Sequence, residues 1–189
     1  MQLVHLASRL YGTPLLIARA KLDVILAVLG PRIGLQGLDR AAPLPGPRSE
    51  LPTSPGIALI PVHGTLVRRA LGLEVASGLC SYAEIGARVD AALADPAVTG
   101  ILLDIDSPGG EAGGVFELAD RIRQASAIKP VWAHANDAAF SAAYALAASA
   151  TRLTLSQTAG VGSIGVIALH VDQSVKDAKD GLTYTAIYA

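Results

Sequence analysis

The sequence has 189 residues, enough for one domain with an appendage, and its formal net charge is −1. This balance, with no basic run, excludes the usual electrostatic signature of a nucleic-acid-binding protein. The hydrophobic fraction is 51% and the aromatic fraction only 4%, so small aliphatic residues are expected to form a closely packed core.

The single cysteine, Cys80, excludes an internal disulfide and favours a reducing compartment. The most apolar N-terminal stretch, Pro14–Gly30, is interrupted by Arg19, Lys21 and Asp23, which makes it too polar to span a membrane. It also lacks the layout of a secretory signal. We therefore expect a soluble protein that is not exported.

The first predicted element is a helix from Thr13 to Gly30. Thr13 is a suitable N-cap, Pro14 suits the first helical position, and Gly30 followed by Pro31 ends the helix. Its apolar face is expected to contact something else, such as a neighbouring subunit. Residues 1–40 are thus predicted to be a helical extension.

A proline-rich linker is predicted for residues 41–56. Its prolines are Pro43, Pro45, Pro47, Pro52 and Pro55.

Residues 57–189 alternate between strand and helix patterns, which predicts an α/β fold with a largely parallel sheet. The expected strands are Ile57–Val62, Val98–Ile105, Val131–Ala135, Arg152–Leu155, Gly165–Val171 and Tyr184–Tyr188. The expected helices are Ser81–Ala94, opened by a capping box of Ser81 and Glu84, then Gly113–Ala127, Ser141–Ala150 and Gln173–Lys179.

Two segments of this region combine strand ends with residues suited to catalysis. Asp106-Ser107-Pro108-Gly109-Gly110 follows a buried strand, and its bare N–H groups are suited to an oxyanion. Asp137–Tyr144 places Ser141 before an alanine-rich helix, where free N–H groups gather. From spacing alone, an ordinary tight turn and an ordinary N-cap serine are the favoured interpretations.

A third segment, Gly160–Ile167, has glycines at positions 160, 162 and 165. Such spacing indicates backbone that is open to a close neighbour, for example an extended peptide added as a strand. A glycine-rich loop without a ligand is the alternative.

Together and in this order, the three segments resemble peptidase family S49, the signal peptide peptidase A group, and its phage head-maturation branch. Ser-Pro-Gly-Gly alone also occurs in Clp peptidases and crotonases, but its combination with Ser-Ala-Ala-Tyr and Gly-Ser-Ile-Gly-Val is more specific. The resemblance covers about residues 57–189, and the predicted N-terminal helix and proline linker are also similar to the phage branch. It implies a ClpP/crotonase-type fold and a homo-oligomeric serine endopeptidase.

The resemblance also implies roles for single residues. Ser141 is the expected nucleophile, and the main-chain N–H groups of Gly110 and Gly109, with that of Ser141 or Ala142, form the expected oxyanion hole. Ser163 is expected to orient the base. Small apolar side chains are expected at the cleavage site. The expected substrate groove is lined by Glu111, which replaces a glycine found in many relatives, and by Ile164, Gly165, Val166 and Ile167.

The general base is a lysine in this family, and it follows a strand similar to Thr183–Ala189. We therefore expect it a few residues beyond Ala189, so that the 189-residue chain by itself is inactive as a peptidase. Lys129, Lys176 and Lys179 are expected to be surface charges. A ClpP-like Ser/His peptidase with His170 as base remains an alternative.

The remaining histidines singled out by the pattern, His63 and His134, are expected to be structural. No metal or cofactor is expected. The resemblance implies a capsid scaffold or portal protein as substrate, in the host cytoplasm. A non-catalytic capsid assembly component and a crotonase-like acyl-CoA enzyme are also compatible with the sequence.

Overall fold

A computed structural model of the chain describes residues 14–18, 22, 25–26, 56–69, 79–170, 172, 174–183 and 185. Within these residues the strands are β1 (Leu15–Ile17), β2 (Ile57–His63), β3 (Thr65–Val67), β4 (Leu79–Ser81), β5 (Gly100–Ser107), β6 (Gly109–Glu111), β7 (Val131–Phe140), β8 (Arg152–Leu155) and β9 (Gly160–Gly162). The helices are α1 (Tyr82–Ala94), α2 (Val115–Ser126), α3 (Ala142–Ala148) and α4 (Ser174–Lys179).

The strands form two sheets. The main sheet is parallel, in the order β2-β5-β7-β8, and β9 pairs with the far end of β7. The second sheet has the order β1-β6-β3-β4, in which only β1 runs antiparallel to its neighbour. The predicted α/β fold with a largely parallel sheet is confirmed.

Helix α2 shows why these segments are helical. Its buried residues recur at helical spacing, which places one apolar face against the core. They are Val115, Leu118, Ala119, Ile122 and Ala125. The helix begins after Gly114, whose φ of 95° is a left-handed conformation that favours glycine.

The core is made of aliphatic residues from β2, β5, β7 and the helices α1 to α3. Alanines at 133, 135, 139, 142, 143 and 147 are all buried, and they allow α3 to lie close to the strands. This confirms the expectation of a core of small aliphatic side chains. None of the described helices is long and apolar enough to cross a membrane.

Most predicted elements of residues 57–183 are found, with shifted ends. Strand β7 continues five residues past its predicted end at Ala135, to Phe140. Helix α1 begins after Ser81 as predicted, but the capping box is wrong, because the Ser81 side chain makes no cap hydrogen bond. The predicted strand Gly165–Val171 is also wrong over its described part, where bridge residues at Ile167 and Leu169 take its place.

The predicted N-terminal helix is wrong at its beginning. Leu15–Ile17 form strand β1, and helical backbone is found further on, at Leu22, Ile25 and Leu26. The physical reason is that two strand-like edges accept this segment, and their main-chain hydrogen bonds outweigh its helical propensity. The linker 41–55 and most of the predicted strand Tyr184–Tyr188 lie outside the described residues.

Candidate active site

Ser141 lies at the junction between β7 and α3. Its backbone has φ 55° and ψ −112°, which is unusual for a residue with a side chain. Such a conformation is strained, and strain of this kind clusters at functional sites. A serine held on a sharp strand-to-helix turn is also the geometry of the nucleophile elbow in other hydrolases.

The main chain of the glycine-rich segment holds Ser141 in place. The Ser141 N–H donates to the carbonyl oxygen of Gly162 at 2.7 Å, and its hydroxyl donates to the carbonyl oxygen of Gly165 at 3.3 Å. The residue is only 3% exposed. Gly162 has φ 119°, a conformation that favours glycine, whereas a Cβ at Gly165 would meet nothing within 4 Å.

Gly160 has a different reason to be a glycine. A Cβ there would lie 2.5 Å from the Phe140 ring, so the aromatic side chain packs directly over the Gly160 backbone. This contact supports the end of β7, one residue before Ser141. It is structural and requires no ligand.

The turn Ser107-Pro108-Gly109-Gly110 lies directly against Ser141. A Cβ at Gly109 would be 3.0 Å from the Ser141 Cβ and 2.9 Å from the Phe140 carbonyl oxygen. Gly109 also has φ 94°, so both space and conformation require glycine. The structure therefore brings together the double-glycine turn and the serine that the sequence singled out.

Ser107 organises this turn from inside the protein. It is fully buried, its hydroxyl donates to the carbonyl oxygen of Gly64 at 2.6 Å, and it accepts the Gly109 N–H at 3.2 Å. Because the Gly109 N–H already has a partner, it is a poor oxyanion donor in this conformation. This role was not predicted from the sequence, although the serine before Pro-Gly-Gly could have suggested it.

Two N–H groups next to Ser141 remain suited to an oxyanion. Ala142 is the first residue of α3, and the first N–H groups of a helix have no partner within it. Gly110 lies on β6, where its N–H is directed at the neighbouring strand β1 and is not held by a side chain of the turn, as that of Gly109 is. The Ser141 N–H is bonded to Gly162, which makes Ala142 the better of the two predicted alternatives.

The predicted groove residues flank this corner. Ile164 is 82% exposed and Val166 is 58% exposed, while Ile167 is half-buried. Ser163, the predicted base-orienting residue, is exposed and has φ 55°. Glu111 is turned toward β3, where its carboxylate accepts the Arg68 N–H at 2.8 Å.

None of the described histidines bonds to Ser141. His63 Nε2 lies 2.8 Å from Asp104 Oδ2, and His134 Nδ1 lies 2.9 Å from Thr154 Oγ1. His170 is exposed.

The described lysines also lie elsewhere. Lys129 Nζ donates to the carbonyl oxygens of Ala92 and Asp95 at 2.8 and 2.7 Å, at the C-terminal end of α1. Lys176 and Lys179 are exposed on α4. Among the described residues, the only hydrogen bond of the Ser141 hydroxyl is the one to Gly165.

Cys80 is not suited to replace the serine as nucleophile. Burial raises the pKa of its thiol to about 11, so the thiol stays protonated at neutral pH. Across the described part of the chain, no three His, Cys, Asp or Glu side chains come together as a metal site.

Comparison with known families gives a match over the C-terminal part of the chain. Residues 123–189 match the model of peptidase family S49. The matched stretch contains Ser141 and the glycine-rich segment, whereas the Ser107–Gly110 turn precedes it.

Two curated relatives come from phages. The chain is 39% identical to the capsid assembly protease C of Escherichia phage lambda over 99% of its own length. It is 48% identical, over 71% of its length, to the head-tail preconnector protein GP5 of Enterobacteria phage P21. The chain spans 47% of the first relative and 27% of the second.

Among solved structures, the chain is similar to an enoyl-CoA hydratase/isomerase family member. The two share 18% sequence identity with a TM-score of 0.46, over 72% of this chain and 53% of the other.

Proposed function

Because the chain is related to the S49 peptidases and to phage capsid assembly proteases, we propose that it carries the nucleophile and oxyanion hole of a serine endopeptidase. One observation supports this above all others. Ser141 is held in a strained conformation at a strand-to-helix junction, directly against the double-glycine turn. An ordinary N-cap serine needs neither the strain nor the contact.

In the proposed reaction, the Ser141 hydroxyl attacks the scissile carbonyl carbon and gives its proton to a general base. The carbonyl oxygen becomes negative and accepts hydrogen bonds from the Gly110 and Ala142 N–H groups. Collapse of this intermediate releases the amine product, which takes the proton from the base, and leaves an acyl-enzyme on Ser141. Water then releases the acid product by the same route.

We propose a lysine as the base, as the S49 resemblance implies, carried by sequence that continues after Ala189. A lysine serves as a base only where burial lowers its pKa toward neutrality. Lys129 binds the end of α1, and Lys176 and Lys179 are exposed, so none of them meets this condition. The domain division into residues 1–40, 41–56 and 57–189 is part of the same proposal.

The proposed substrate is a protein of the phage head, such as a scaffold or portal precursor, in the host cytoplasm. The names of the two phage relatives, a capsid assembly protease and a head-tail preconnector protein, support this choice. The proposal includes self-association of the chain into an oligomer.

The test compares the 189-residue chain with one extended through the expected lysine. Without a base the rate is expected to be lower by about 10²–10⁴-fold, since general-base help is typically of that size. Cleavage by the extended chain should rise with pH as the lysine loses its proton. Ser141→Ala should abolish it.

A fluorophosphonate probe supplies the second measurement. It should label the extended chain at Ser141 and leave the Ser141→Ala variant unlabelled. If the short chain cleaves as fast as the extended one and His170→Ala stops it, the base is a histidine and the lysine assignment is wrong.

A non-catalytic assembly component is the second candidate function. It is favoured by one observation, that no described side chain hydrogen-bonds to the Ser141 hydroxyl. Failure of the probe to label the extended chain would support this candidate over the peptidase.

A further inference from the structure

Strand β1 lies in the corner next to Ser141, between two other pieces of main chain. On one side it pairs antiparallel with β6, with Leu15 opposite Glu111, Leu16 opposite Gly110 and Ile17 opposite Gly109. On the other side, Leu15 and Ile167 exchange two hydrogen bonds, each of 2.8 Å. The segment is therefore held on both edges, as a peptide is when it adds as a strand to a sheet.

The register of β1 on β6 pairs the Leu16 carbonyl group with the N–H of Gly110, a candidate oxyanion donor. The Ala18 N–H donates to Pro108 at 2.7 Å, and the Ala112 N–H donates to Pro14 at 3.0 Å. Hydrogen-bonded pairs alternate along an antiparallel ladder, so the pair between these two, Leu16 and Gly110, is also hydrogen-bonded. The Gly110 N–H thus donates to the Leu16 carbonyl oxygen.

The same carbonyl oxygen is close to Ser141. A Cβ at Gly109 would overlap the Leu16 oxygen and would lie 3.0 Å from the Ser141 Cβ. The Leu16 oxygen and the Ser141 Cβ therefore both border the space that a side chain at Gly109 would occupy. A scissile carbonyl would have to occupy this position in order to meet both the serine and the Gly110 N–H.

The side chains of β1 alternate between two hydrophobic clusters, as those of a bound peptide strand would alternate between two sides. Leu16 is 7% exposed and packs into the main core cluster, which also contains Ala139, Ala142 and Ala143 around Ser141. Leu15 and Ile17 point the other way, and they pack in a separate cluster with Leu22, Ile25, Leu26, Ile167 and Leu169. One side chain of the strand thus fills a pocket in the main core, while its two neighbours are buried in the separate cluster.

We propose that Pro14–Ala18 is an internal substrate mimic that closes the active site, with Leu16 in the pocket next to Ser141. This rests on the proposed function of Ser141 and adds two consequences. A substrate peptide must displace β1 before it can bind, and the pocket accepts a branched aliphatic residue of the size of leucine. The second consequence differs from the expectation of small residues at the cleavage site, which stays a prediction.

A reversible crosslink tests the closure. Leu15 and Ile167 form a hydrogen-bonded antiparallel pair, in which Cα atoms are typically about 5.5 Å apart, within the range that a disulfide spans. The double variant Leu15→Cys/Ile167→Cys, made with Cys80→Ala, can be locked by oxidation and released by reduction. The reduced protein is then the matched control for the oxidised one.

The probe is a fluorescent peptide with the sequence of residues 14–18, Pro-Leu-Leu-Ile-Ala, measured by fluorescence anisotropy on the full chain. The reduced variant should bind it, and oxidation should weaken binding by about tenfold or more, because a closed site reduces apparent affinity by the fraction that is open. The control peptide Pro-Leu-Pro-Ile-Ala lacks the N–H that pairs with Gly110, and it should bind poorly to both forms.

Equal binding by the oxidised and reduced forms would overturn the proposal. So would failure of the disulfide to form, or a reduced protein that binds neither peptide. Because binding needs no catalysis, these outcomes are independent of whether Ser141 proves to be a nucleophile. An unlabelled Ser141 together with redox-dependent peptide binding would reject the peptidase and keep the closed peptide groove.

Discussion

Ser141, the proposed nucleophile, has a strained backbone conformation. Its φ of 55° presents the hydroxyl at the strand-to-helix junction, and hydrogen bonds to Gly162 and Gly165 keep it there. Strain of this kind typically costs about 1–3 kcal/mol and persists only where the surroundings impose it. A residue that relieves the strain should therefore stabilise the fold while removing the proposed nucleophile.

Ser141→Gly and Ser141→Ala separate these two effects. Both remove the hydroxyl, but only glycine adopts a positive φ without strain. The glycine variant should be more stable than the alanine variant by about 1 kcal/mol in the free energy of unfolding, measured by urea denaturation. If alanine is equally stable or better, the strain assigned to Ser141 is absent.

Among the elements, β6 depends most on the absence of side chains. It is three residues long and lies between β1 and β3, so it is approached by main chain from both sides. A Cβ at Gly110 would overlap the Leu66 carbonyl oxygen, a clash that neither strand can relieve by a side-chain rotation.

Gly110→Ala should therefore separate β6 from β3 and lower the free energy of unfolding by about 1–3 kcal/mol. Gly113→Ala is the matched control, because a Cβ there meets nothing within 4 Å. Chemical denaturation of both variants checks the prediction. A Gly110→Ala protein as stable as the control would contradict the close packing of β6.

Helix α1 is closed at its C-terminal end by Lys129, which comes from the connection before β7. Its ammonium group donates to the carbonyl oxygens of Ala92 and Asp95, where a positive charge also complements the helix dipole. This contact explains why Lys129 is structural, although its position in the sequence suggested only an exposed surface charge.

Lys129→Met keeps the length of the side chain and removes the charge, so it should cost about 0.5–1.5 kcal/mol of unfolding free energy. Lys176→Met on the exposed helix α4 is the comparison and should change stability little. Thermal unfolding of the two variants is the measurement. Equal midpoints would show that the Lys129 contacts contribute nothing.

At the scale of the whole molecule, self-association remains a prediction, but its basis changes. Leu15 and Leu22, which were expected on the apolar face of the N-terminal helix, are instead buried in the protein's own cluster with Ile17. Apolar side chains next to the site are exposed instead, notably Ile164 at 82% and Val166 at 58%. Exposed apolar side chains that lie close together are suited to contact with another copy of the chain.

Sedimentation velocity should show an oligomer at micromolar concentration, and Ile164→Asp should shift it toward the monomer. Phe116→Asp is the comparison, since Phe116 is 61% exposed on α2. A monomer at all concentrations would contradict the prediction. An equal effect of both substitutions would indicate non-specific association rather than a defined interface.

The sequence alone determined the fold class and the position of the serine. Alternating strand and helix patterns predicted the α/β fold. The strands of a parallel sheet are buried on both faces, so each one is a continuous apolar run in the sequence. The glycine motifs and the serine predicted which segments meet. The resemblance to family S49, confirmed by the match over residues 123–189, then joined them into one hypothesis.

Only the tertiary structure decided what surrounds that serine. Main-chain partners from distant parts of the chain account for the extension of β7 to Phe140 and for the hydrogen bond of the buried Ser107. They also account for the contacts of Ser141 with the Gly162 and Gly165 carbonyl groups. The clearest case is Leu15–Ile17, where local propensity predicted a helix. The segment is a strand because β6 on one side and Ile167 on the other supply main-chain hydrogen bonds to it. These partners are distant in sequence, so no local sequence pattern predicts them.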